Sequence, residues 1–95
     1  MSRVADPAEM LREAVSAARA RHGSVKAAIG AVARLVGMPP RRVESAWWRQ
    51  PARYDWREAE KIRAALAEQW ARDAREFEAR AALLRARITA LETDA

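Results

Sequence analysis

Apolar residues recur along this chain in steps of three and four, and a few glycines and prolines interrupt them. The pattern predicts four helices and no strand. The first begins at Asp6-Pro7-Ala8-Glu9, with Asp6 as N-cap, Pro7 as first helical residue and Glu9 closing a capping-box-like pair. Ala8, Leu11, Ala14, Val15 and Ala18 form its apolar stripe, and Gly23 ends it behind Arg19, Arg21 and His22. Ser24 caps a second helix with the face Val25, Ala28, Ile29, Val32, Ala33 and Val36, and Gly37 stops it. Met38 cannot continue it, because a proline disfavours helical backbone in the residue before it. Pro40 opens a third helix running to about Arg49, and Gln50–Tyr54 is a basic turn. Asp55 caps a fourth helix with Glu58 as capping-box partner, and neither glycine nor proline occurs from Trp56 to Glu92. A helix of that length is about 55 Å long.

The fourth helix divides in two. Ala59, Ile62 and Leu66 continue a globular stripe and are expected to cover the second and third helices. Beyond them the repeat becomes heptad: Trp70, Phe77, Leu84 and Leu91 every seven residues, with Ala74, Ala81 and Ile88 four after the first three. One helix cannot bury such a stripe by itself, so residues 67–92 are expected to form a coiled-coil homodimer. Parallel pairing sets Asp73 against Glu78 and Arg80 against Arg85, both like-charged. Antiparallel pairing sets Glu78 against Arg85 and Asp73 against Arg87. It also puts Ala81 beside Leu84 and Ala74 beside Leu91. The expectation is an antiparallel pair centred near residues 81–83. The chain is therefore read as all-α, with a globular part over 1–54 and the long helix over 55–95.

Ninety-five residues suffice for one small domain with a marginal core. No cysteine is present, which excludes disulfides, thiolate metal ligands and cysteine nucleophiles. The single histidine, His22, leaves little for a metal site or a serine triad. No glycine-rich phosphate loop or paired-carboxylate pocket emerges, and Glu76 and Glu78 point to different faces of their helix. No enzyme activity, metal, cofactor or small-molecule ligand is expected. No apolar run approaches the roughly 20 residues that cross a bilayer, and the first residues lack a signal peptide's apolar stretch. A cytoplasmic protein without membrane contact is expected. Charge sharpens the picture: residues 1–54 carry a net of +6 and residues 55–95 a net of −1, within a total of +5. Residues 19–53 hold eight basic side chains against one acid, Glu44. Most are arginines, whose planar forks suit phosphate oxygens and guanine edges.

The stretch Ile29-Gly30-Ala31-Val32-Ala33-Arg34-Leu35-Val36-Gly37-Met38-Pro39-Pro40-Arg41-Arg42-Val43 leads on to Glu44-Ser45-Ala46-Trp47-Trp48. Two steeply crossing helices need a small residue at their contact, here Ala33, and a left-handed residue four later, here Gly37. Val32, Val36, Met38, Val43, Ala46 and Trp47 are spaced to fill the angle between them. The stretch resembles DNA-binding helix-turn-helix proteins, and within them MerR-type and small phage or plasmid regulators. The wing that follows the motif in MerR-type proteins is reduced here to Gln50–Tyr54, and an extra helix precedes the motif. No effector-binding cysteine is present.

The resemblance implies that the third helix enters the major groove of double-stranded DNA with Arg41, Glu44, Ser45 and Trp48 outward. Arg41 suits a guanine and Glu44 a cytosine amine, and Ser45 suits a phosphate or a base edge. Arg42, Arg49 and Arg53 are placed to meet phosphates, with Lys26 and Arg34 gripping the backbone from the second helix. Trp47 is expected to pack under the fourth helix, Tyr54 to staple its start, and Trp48 to be exposed. The function implied is sequence-specific regulation of transcription by operator occupancy. The alternatives are a phage small-terminase-like packaging protein, which would form a ring of subunits, and a helical protein-binding adaptor or antitoxin-like protein.

Overall fold

A computed structural model describes residues 6–94, and every regular element among them is a helix: α1 (Pro7–His22), α2 (Val25–Val36), α3 (Pro40–Trp47) and α4 (Trp56–Thr93). Three short helices pack together, and the fourth, long one carries on past them, giving extents of 61 × 34 × 20 Å. α1 touches each of the other three helices, and α2 touches both α3 and α4. Leu11 and Val15 of α1 are buried with Ala28, Val32, Ala33 and Val36 of α2. Val43 and Ala46 of α3 and Ile62 and Leu66 of α4 complete this core, and no polar or charged residue is buried among the described residues. Burying each large aliphatic side chain stabilises the fold by about 1.5–3 kcal/mol.

Local signals place most helix ends. Ser24 Oγ accepts from Ala27 N at 3.1 Å. Asp55 Oδ1 accepts from Glu58 N at 2.8 Å, and the Glu58 carboxylate accepts in return from Asp55 N, so the capping box is complete. Gly23 and Gly37 take φ of 79° and 70° at the ends of α1 and α2, where a Cβ is unfavourable. At Gly37 an added Cβ would also lie 2.8 Å from Lys61 Nζ, a flexible side-chain end.

Four expectations are corrected. Asp6 is the N-cap of α1, but its side chain caps nothing, so no capping box forms there. Met10, outside the predicted stripe, is buried. It lies beside Leu11, where α1 meets several neighbours and its apolar arc widens. α3 stops at Trp47 rather than near Arg49. There Gln50 N donates to Ser45 O at 2.9 Å and Arg49 N to Ala46 O at 3.1 Å, with Arg49 at a φ of 58°. This is a Schellman ending with arginine in the place that favours glycine. Finally, the backbone of α3 approaches α1 and α2 closely but not α4, which it meets through side chains such as Arg42 on Glu58. Trp47 lies instead beside Glu9, Arg12, Glu13 and Ser16 of α1, and Arg12 Nη1 donates to Ala46 O at 3.3 Å across that contact.

Candidate nucleic-acid interface

α3 makes slightly more than two turns, so its faces follow directly from its buried residues. Val43 and Ala46 point into the core, which turns Arg41, Glu44 and Trp48 to solvent. Trp48 is 64% exposed. Ser45 lies at the margin of this face, half-buried, and its hydroxyl donates to Arg41 O at 2.9 Å. Lys26 of α2 stands beside the face: with Val25, Ile29, Gly30 and Pro40 it lines a shallow groove whose other wall is Glu44 and Trp48. Arg49 and Arg53 are exposed in the segment after α3. Arg41, Arg49, Arg53 and Lys26 take part in no ion pair among the described residues.

Two predicted residues have further neighbours. Arg42 is turned toward the start of α4. Its guanidinium pairs with Glu58 Oε2 at 2.7 Å, donates to Arg53 O at 2.7 Å, and stands 5.0 Å from the Tyr54 ring centre. These contacts engage both terminal nitrogens of the guanidinium. They also hold the 50–54 segment against α3, so Arg42 organises the surface on which Arg49 and Arg53 sit. Tyr54 packs against the core, and its buried hydroxyl has no hydrogen-bond partner. Burial pushes its pKa up, and the charge of Arg42 opposes that shift. Arg34 is exposed on α2, between two surfaces. It lines a cleft with Arg21 and His22 of α1 and Trp70 and Asp73 of α4, and its Nη1 also lies 3.6 Å from where a Cβ on Gly30 would stand, at the edge of the groove beside α3.

The free half of α4 is the second notable surface. Phe77, Leu84, Ile88 and Leu91 are all more than half exposed, Ala74 is exposed and Ala81 half-buried. Leu83, outside the predicted seam, is exposed too. Trp70 differs from the rest, because it sits at the cleft where α1 and α2 meet α4. Asp73, expected to face Arg87 of a second helix, accepts from Arg21 at 2.8 Å and from Gln69 at 3.1 Å within its own chain. The hydrogen bond from Arg21 lowers the Asp73 pKa and raises that of Arg21.

Among the described residues no three His, Asp or Glu side chains gather as a metal site, and no helix is long and apolar enough to cross a membrane. No protein-family model, curated protein or solved structure matches this chain.

Proposed function

We propose that this chain is a small DNA-binding protein that regulates transcription by occupying an operator, as a homodimer joined through α4 in antiparallel orientation. The observation that carries the reading is the outer face of α3. Arg41, Glu44 and Trp48 are exposed together there, Lys26 lines the same groove, and Arg49 and Arg53 are exposed in the segment that follows; none of these cations is ion-paired among the described residues. A short helix with a free arginine and a free carboxylate on its outer face matches the chemistry of base edges in a major groove. The surrounding cations match the phosphates on either side. Arg41 is assigned a guanine, Glu44 a cytosine amine, and Lys26, Arg49 and Arg53 phosphates. Arg42 holds the interface in shape. Ser45 steadies α3 through its bond to the Arg41 carbonyl. Dimerisation through the exposed α4 stripe, Ala74, Phe77, Ala81, Leu84, Ile88 and Leu91, supplies two such faces for a two-fold site.

The test is duplex binding across a salt series. Neutralising about four to six phosphates per dimer gives a log–log slope of roughly −4 to −5. On a site selected from random fragments, Arg41→Ala costs about 1–3 kcal/mol, and less on unselected DNA. Affinity that ignores salt, or the absence of any duplex binding at low salt, would falsify the reading.

A further inference from the structure

α1 and the apolar stripe of α4 share one side of the long helix. Arg21 pairs with Asp73, so the last turn of α1 reaches α4 at that level. Up to there α1 covers the stripe through Ile62 and Leu66. Past Asp73 the same stripe runs on uncovered through Phe77, Leu84, Ile88 and Leu91. The uncovered part is self-complementary. Two antiparallel copies crossing between residues 82 and 83 put Ala74 against Leu91, Phe77 against Ile88 and Ala81 against Leu84, so each small residue faces a large one. In that register Glu92 of one copy comes level with Asp73 of the other, at the point where α1 ends.

We propose that a second copy of this chain occupies the free half of α4 and that the end of α1 is the stop that sets its register, with Glu92 and Asp94 meeting the basic last turn of α1. The proposal rests on the antiparallel dimer above and adds what holds it in place. Arg19, Arg21 and His22 fill that last turn. Two helix C-termini, each the negative end of a helix dipole, approach one another at the junction, and Arg19, with Arg21 shared between Asp73 and the incoming acids, offsets their repulsion. The acids Glu92 and Asp94 add charge complementarity: they have no ion pair within their own chain among the described residues. A helix slipped one heptad toward the domain would run into α1, and one slipped away would leave Ala74 and Phe77 uncovered.

The chain's lack of cysteine makes the register directly readable. The doubly substituted chain Ala74→Cys with Leu91→Cys should oxidise to a covalent dimer, whereas Ala74→Cys alone should not. Leu91→Cys alone should also fail, since its two copies lie about 25 Å apart along the axis. Reversing Glu92 and Asp94 to arginine should weaken dimerisation about tenfold by sedimentation. His22→Glu, an exposed change that leaves the core intact, should weaken it in the same direction. A dimer that cross-links at 74 and 91 yet ignores both charge reversals overturns the α1 stop while leaving the antiparallel dimer standing. Cross-linking through Ala74→Cys alone, or a monomer in solution, overturns the dimer reading itself, and the stop with it.

Discussion

Arg42 of α3 and Glu58 of α4 meet at 2.7 Å, and this ion pair joins the third helix to the long one. The same guanidinium spans to the Arg53 carbonyl and the Tyr54 ring, so one side chain closes the loop between the two helices. The pair is about one-third exposed, and its strength comes from the combined interactions rather than from charge alone.

Arg42→Ala should therefore destabilise the fold by about 1–2 kcal/mol, because it removes a charge-assisted hydrogen bond and a cation–π interaction. Tyr54→Phe should be neutral or stabilising by about 1 kcal/mol, because it removes a buried hydroxyl without a partner. Urea denaturation measures both. An Arg42→Ala chain as stable as the parent would show that the clasp is idle.

Arg49 holds a left-handed backbone that costs a non-glycine residue about 1–2 kcal/mol. Arg49→Gly should raise stability by about 0.5–1 kcal/mol, part of the gain being offset by the freer unfolded chain. If Arg49 meets phosphate, the same change lowers duplex affinity and flattens the salt slope by about one for each phosphate no longer held. Higher stability with unchanged DNA binding would leave the arginine there without a function.

Phe77 is 61% exposed in the single chain, so replacing it should leave the fold intact. Phe77→Ala or Leu84→Ala should weaken the dimer by about 2–5 kcal/mol per truncated site if the stripe is packed between copies. Phe77→Asp should give a folded monomer at micromolar concentration with weak DNA binding. Sedimentation velocity decides. A variant that remains dimeric and binds DNA as before would place dimerisation on another surface.

The Arg42–Glu58 pair also fixes a length. In the proposed antiparallel dimer residue 58 lies about 37 Å along α4 from the crossing point between residues 82 and 83, so the two copies of residue 58 stand about 73 Å apart along the helix axis. Two turns of duplex span roughly 68–72 Å. Hydroxyl-radical footprinting should thus reveal two protected patches about 20–21 base pairs apart, with the middle open. Patches a single turn apart would rule out the antiparallel arrangement.

What was legible in the sequence is what short stretches of chain decide. Gly23, Ser24, Gly37 and the Asp55–Glu58 box end or start helices through bonds spanning three to five residues, and all four operate as their spacing indicates. The steps of three and four likewise identify most of the core and the stripe that stays bare beyond Asp73. The sequence also marked Arg41, Glu44 and Trp48 as one outward face, because Val43 and Ala46 leave no other side for them. Tertiary structure alone decided which long side chain met which partner. Arg42 is drawn to Glu58 and Tyr54, Asp73 is claimed by Arg21, Arg34 falls to the cleft by Trp70, and Trp47 settles against α1. A cap is closed by neighbours whose distance the helix itself sets. An arginine or tryptophan side chain sweeps many ångströms, and only the packing of distant segments brings one partner, out of several chemically equivalent ones, within its reach.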